Sequence, residues 1–253
     1  METRELVLTN RDGKRMPATL QLPDGAPKGV ALVLHGIGGW RSQPVLTHTA
    51  DALQAEGYAV LRFDESDGIT APDNDFFHNT TTHYLRDVDD VIAFMHTQDW
   101  YRAPMILAGH SMGGLVAAKY ASEHLNEVSK LILLAPAMSL RTMWWGQLPF
   151  ALMWLIRGHW KMLGIDGRKF VLGPDWLKDF ARYSGYKCAP LITAPTLIIS
   201  AERDYTVAKP REHRLYARRF PNAEHSTITW ADHDFDGHEA EVAATIRQWL
   251  TSS

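Results

Sequence analysis

The stretch that most constrains this chain is Gly109-His110-Ser111-Met112-Gly113, a G-x-S-x-G pentapeptide set between two patterns. Before it, Pro104-Met105-Ile106-Leu107-Ala108 is a short apolar run that reads as a buried strand. After it, Gly114 to Ala121 is small and apolar at helical spacing. Strand, tight turn and helix are the context in which this motif presents a nucleophilic serine. The turn strains the serine's backbone, so the residues two before and two after it must be small. Gly109 and Gly113 have no Cβ to collide with the neighbouring strand and helix. The helix then points its unpaired N–H groups and positive dipole end at the place where an oxyanion would form.

The rest of the chain alternates in the same way. Gly29–Leu34, Tyr58–Phe63, Lys130–Ala135 and Thr196–Ser200 are near-continuous apolar runs, the pattern of strands covered on both faces. Helical spacing recurs near Val45–Glu56, Thr80–Gln98, Lys209–Arg219 and Glu239–Leu250. Residues 5–9 and 15–22 alternate around Asn10-Arg11-Asp12-Gly13-Lys14 and predict an antiparallel hairpin, and Ser226–Trp230 predicts a last strand. Repeated βα units mean a mostly parallel central sheet with helices on both faces, an α/β fold. Functional loops then belong at the carboxyl ends of the strands. His35-Gly36, Asp64, Ser111, the residues after Ala135, Asp204 and His233 all fall there.

Between Met138 and about Ala189 the pattern changes. No long strand run is present, and Trp144, Trp145, Trp154, Trp160 and Trp176 are concentrated there. Short apolar helices broken by Pro149, Gly158, Gly164, Gly167 and Pro174 are expected, forming a small helical cap. The domain reading is therefore core 1–137, cap insertion 138–189, core 190–253. Trp144, Trp145 and Trp154 are the substrate-binding candidates, as walls of an apolar pocket; packing the cap is the competing role for them.

Composition excludes several classes. The 253 residues suffice for one α/β domain with an insertion, and 45% hydrophobic content is that of a globular chain. A net charge of −3 leaves no basic footprint for nucleic acid. Arg211, Arg214, Arg218 and Arg219 recur at helical spacing and read as a solvated face. The single cysteine, Cys188, forms no internal disulfide. No start-of-chain apolar stretch resembles a signal peptide, and the run Leu148–Ile156 is too short for stable membrane insertion. A soluble, cytoplasmic protein is expected; oligomeric state stays open.

A serine nucleophile needs a general base, itself held in one tautomer by a carboxylate. After such a serine the acid comes first and the histidine second. Asp204, just past the strand ending at Ser200, is the acid candidate, with Glu202 its competitor nearer the strand. His233, just past the strand ending at Trp230, is the base candidate, with His238 the alternative. His225 precedes its strand on this reading, at the wrong end of the sheet. The acidic cluster around His233 matches no zinc or calcium spacing, so no metal is expected. Met112 N–H is one oxyanion donor by position; Ile37 N–H is the choice for the second, with Gly38 the fallback.

These landmarks together resemble a serine hydrolase of the α/β-hydrolase fold. His35-Gly36-Ile37-Gly38-Gly39, Gly109-His110-Ser111-Met112-Gly113-Gly114, Asp204 and His233 match in order, along nearly the whole chain apart from the insertion. Within that fold the chain is similar to small capped esterases: monoacylglycerol-lipase-like, feruloyl or cinnamoyl esterase-like and serine aminopeptidase-like members. The resemblance implies hydrolysis of a small-molecule carboxylic ester with no cofactor. Amide, thioester or carbon–carbon cleavage are alternatives on the same triad, and a ligand receptor is the non-enzymatic one. One segment departs: relatives often carry D-x-x-G-x-G-x-S after the fourth strand, where this chain has Asp64-Glu65-Ser66-Asp67-Gly68-Ile69-Thr70. That loop extends to Asn79 and is expected to help line the entrance.

Overall fold

Strand β3 (Gly29–Leu34) is buried at every residue. Val30, Leu32 and Leu34 pack into one core layer, while Ala31 and Val33 pack into the other. Side chains alternate faces along a strand, so such a run is stable only between two helical layers. The computed structural model describes residues 2–73, 75–140, 142, 156–157, 159–163 and 169–252, and it has that three-layer arrangement.

Around β3 lie β1 (Glu2–Thr9), β2 (Arg15–Leu22), β4 (Tyr58–Phe63), β5 (Met105–His110), β6 (Val128–Leu134), β9 (Thr196–Ala201) and β10 (Ala223–Ile228). Their order is β1-β2-β4-β3-β5-β6-β9-β10. β2 pairs antiparallel with both β1 and β4, and every pair from β4 to β10 is parallel. Helices α1 (Pro44–Ala55) and α7 (Glu239–Ser252) cover one face with Leu46, Leu53, Val242 and Ile246. Helices α2 (Thr81–His96) and α3 (Met112–Glu123) cover the other with Tyr84, Val88, Leu115 and Val116. Each fully buried leucine or valine contributes roughly 1.5–3 kcal/mol to stability. No helix among the described residues is long and apolar enough to cross a membrane.

Two expectations shift. The last strand is β10 at Ala223–Ile228, so His225 lies within it and not before it. Its Nε2 is 2.7 Å from Ser200 Oγ on the adjacent β9, still away from Ser111. The described part of residues 138–189 is not wholly helical: β7 (Trp160–Leu163) and β8 (Lys169–Leu172) pair antiparallel in a small separate sheet. Four-residue strands are too short to show alternation. Helices α4 (Pro174–Phe180) and α5 (Gly185–Cys188) follow. Trp144, Trp145 and Trp154 lie outside the described residues, as does most of Leu148–Ile156. Helix α6 (Pro210–Ala217) exposes Arg211 and Arg214, and Arg218 and Arg219 just beyond it are exposed too, as a solvated face requires.

Candidate active site

The serine sits where β5 turns into α3. Ser111 has φ 54° and ψ −118°, a strained conformation for a non-glycine residue. Its N–H donates to Leu134 O at 2.9 Å and its carbonyl accepts from Ala137 N–H at 2.8 Å, so β6 holds the turn from the side. A Cβ on Gly109 would overlap the backbone of Gly113, and one on Gly113 would overlap the carbonyls of His35 and Leu34. Both glycines are therefore required by close approach. Gly113→Ala is expected to lower stability by about 1–3 kcal/mol through forced backbone shifts, read as a fall in Tm, with activity lost in parallel.

Three candidate residues meet at the carboxyl ends of β5, β9 and β10. His233 Nε2 is 2.9 Å from Ser111 Oγ, and His233 Nδ1 is 2.8 Å from Asp204 Oδ2. A proton on Nδ1 donates to the carboxylate, leaving Nε2 to accept from the serine hydroxyl. Asp204 is buried, and its other oxygen accepts from the N–H groups of Thr206 and Val207 at 2.8 and 2.9 Å. Burial would raise its pKa, but His233 and those two N–H groups outweigh it and hold the carboxyl below its ordinary value. Burial would likewise lower His233, yet the hydrogen bond and charge of Asp204 carry its pKa above the ordinary 6.5.

The competitors are placed elsewhere. Glu202 Oε2 accepts the backbone N–H of Trp230 at 2.8 Å. His238 Nδ1 lies 2.9 Å from Glu241 Oε1 at the start of α7.

The loop after β3 is tied down from several directions. Buried His35 donates from Nδ1 to Gly36 O at 2.8 Å and accepts at Nε2 from Glu65 N–H at 3.2 Å. Burial lowers the pKa of this imidazole, in accord with an Nε2 that accepts. Tyr84 O–H donates to His35 O at 3.2 Å. Asp64 accepts from Arg41 N–H at 2.6 Å and from its guanidinium at 2.5 Å. Among the described residues, neither Ile37 N–H nor Met112 N–H donates to a protein acceptor. Met112 is the first residue of α3, where an N–H has no intrahelical partner.

Some contacts were not signalled by sequence. His110, the variable position of the pentapeptide, donates from Nε2 to His233 O at 2.9 Å and so ties the backbone of His233 to the strand that leads into Ser111. Burial, with the neighbouring His233, pushes its pKa down to about 4, so it stays neutral. Two carboxylates of the unusual acidic loop, Asp64 and Asp67, are paired with side chains from elsewhere in the fold. Asp64 takes Arg41, Asp67 pairs with Lys14 and with His83, and Asp87 accepts Ser66 N–H. Glu65, fully buried, has its pKa raised well above the usual carboxylate range by desolvation. The loop also touches the 138–189 segment: Phe76 packs edge-on against Phe170, and Phe77 O accepts Gly173 N–H at 2.9 Å. From α4, Trp176 Nε1–H reaches Met112 Sδ at 3.4 Å, and Asp179 accepts from Thr82 N–H and O–H. Among the described residues no group of three or more metal-ligating side chains is placed to hold an ion.

Residues 25–184 match the family described as serine aminopeptidase, S33. A probable proline iminopeptidase of Streptomyces coelicolor is 29% identical over 117 residues, 44% of this chain and 33% of that protein. Human monoglyceride lipase is 28% identical over 134 residues, 51% of this chain and 42% of its own. These matches thus span less than half of either curated relative. The solved structure of Est1E from Butyrivibrio proteoclasticus with bound ferulic acid superimposes with a TM-score of 0.82 at 20% identity, covering 98% of both chains. The chain belongs to the serine aminopeptidase S33 family of hydrolases, on the α/β-hydrolase fold.

Proposed function

We propose that the chain is a serine hydrolase that cleaves carboxylic esters through a Ser111–His233–Asp204 triad. The observation that carries this reading is the unbroken chain of contacts from Asp204 Oδ2 through His233 to Ser111 Oγ. Ser111 Oγ attacks the ester carbonyl as His233 Nε2 takes its proton, and Asp204 stabilises the imidazolium that results. The tetrahedral oxyanion accepts from Ile37 and Met112 N–H, donors of a kind worth about 10²–10³ in kcat each. His233 gives its proton to the departing alcohol, leaving the acyl group on Ser111 Oγ. Water then attacks the acyl carbonyl, losing its proton to His233, and the acid leaves as the serine is restored. No cofactor enters any step.

The segment 138–189 is, on this reading, a cap over the site, and its contacts with the 64–79 loop and with Met112 support that placement. Trp144, Trp145 and Trp154 are proposed as pocket walls within it. A ligand such as the ferulic acid held by Est1E suits an aromatic wall. An amide reading has its own support in the aminopeptidase family and the iminopeptidase relative. We favour a small-molecule ester substrate, no nucleic-acid partner and a cytoplasmic location.

A serine-directed fluorophosphonate and a panel of p-nitrophenyl esters, aryl esters, acyl thioesters and aminoacyl amides test the reading. Labelling of Ser111 with turnover of esters above amides is expected. Amides above esters would transfer the assignment to peptidase chemistry, and no labelling would leave a receptor. The pH profile adds a check. Only neutral His233 accepts the serine proton, and its pKa is raised, so kcat/KM should climb with pH and reach half its plateau above 6.5. Asp204→Asn removes the partner that raises it. The midpoint should move to lower pH while the plateau falls by about 10⁴-fold. An unmoved midpoint would contradict the assigned base.

A further inference from the structure

Four non-glycine residues among the described ones have positive φ: Ser111, Ala135, Trp230 and Phe235. All lie at or just beyond the carboxyl ends of β5, β6 and β10. Ser111, Ala135 and Phe235 are buried, so packing or the proposed chemistry accounts for their strain. Trp230 is different. It has φ 65° and is 62% exposed. Burial gains little from an indole there, and glycine or asparagine would occupy the left-handed region with less strain.

The strained residue is nevertheless held from two sides. Glu202 Oε2 accepts its N–H at 2.8 Å, and the guanidinium of Arg203 lies 4.2 Å from the centre of its ring. The flanking strand ends are bonded as well, Glu202 N–H to Ile228 O at 3.0 Å and Arg203 N–H to Ala231 O at 2.8 Å. An indole fixed in direction, backed by a cation and open to solvent, is a surface for a flat ring.

Its position supplies the ligand. Only Ala231 and Asp232 lie between Trp230 and His233, so the Cα atoms of these two residues are within roughly 11 Å by chain length alone. Arg203 directly precedes Asp204. His233 protonates the leaving alcohol in the proposed reaction, so the alcohol portion of an ester departs beside this loop, whereas the acyl portion stays on Ser111. We propose that Trp230, backed by Arg203, is a stacking subsite for a ring in the alcohol portion of the substrate, an inference that rests on the ester-hydrolase reading.

The test holds the acyl group at acetate, which leaves the cap's acyl-side contacts aside, and varies only the alcohol: ethanol, benzyl alcohol and glucose. Trp230→Gly and Trp230→Asn both accept the backbone angle and both remove the ring. The kcat/KM ratio of benzyl or glucosyl acetate to ethyl acetate should fall about three- to tenfold in both variants. Trp230→Phe should restore most of it, and whichever ring ester falls further distinguishes an aryl from a sugar ligand. Tm should stay level or rise in Trp230→Gly, because the strain is relieved. A lower Tm with equal losses on all three esters would make Trp230 a structural residue and overturn the subsite. Unchanged ratios would overturn it while leaving the ester-hydrolase reading intact. If the native enzyme turns over none of these acetates while aminoacyl amides are cleaved, the ester reading fails and the subsite with it.

Discussion

Ser111→Ala should abolish ester turnover and fluorophosphonate labelling while the protein stays folded. The fold argument is local. Ser111 Oγ makes no capping hydrogen bond to α3, and His233 Nε2 is its hydrogen-bond partner among the described residues. Alanine loses that contact and nothing in the core. The bonds from Ser111 N–H to Leu134 and from Ala137 to Ser111 O belong to the backbone and persist. The chemical loss is large because the triad acts as a unit. Removing its nucleophile costs on the order of 10⁶ in kcat, leaving about 10³–10⁴ over water from binding and the oxyanion donors. Active enzyme, Tm and kcat measured on one preparation separate the two effects. Near-native hydrolysis by this variant would sink the whole assignment, and loss of the fold would show that the turn depends on the hydroxyl.

How much of this was legible beforehand follows the strength of each local signal. β3 and β5 were plain because every residue is buried and apolar, a pattern little else produces. The sequence pattern starts β10 three residues late because Ala223-Glu224-His225 sits on an edge strand, half solvated and without an apolar run. The Asp204 and His233 candidates could be read because strand ends and chain order confine them to short loops. The choice between Asp204 and Glu202 could not be made from composition. It depends on which carboxylate the turn after β9 directs inward, and the N–H groups of Thr206 and Val207 fix that. The acidic loop looked anomalous because its partners are far away in sequence. Arg41, Lys14 and His83 come from three other segments, and no local pattern links them to residues 64–67. His110 carries no sequence signal for a related reason: the motif leaves that position free, and its acceptor lies 123 residues on.

His233→Ala should lose activity by about 10⁴–10⁶-fold, whereas His238→Ala should retain at least half of it. The two histidines follow the same strand, so proximity in sequence does not separate them. Their surroundings do. His233 is partly buried between Asp204 and Ser111, with both ring nitrogens engaged along the line of proton transfer. His238 faces Glu241 across one helical turn, a partly exposed pair of the kind worth about 0–1 kcal/mol. Its backbone carbonyl accepts from Glu241 and Val242 N–H whatever the side chain is, so α7 still begins in place after truncation. The His233 variant also leaves its loop anchored, because His110 donates to the carbonyl of residue 233 and not to its ring. Tm should therefore change little in either variant, and only His233→Ala should slow fluorophosphonate labelling, since Ser111 then has no base. Equal losses in the two variants, or a larger loss from His238→Ala, would show that the proton leaves Ser111 by another route.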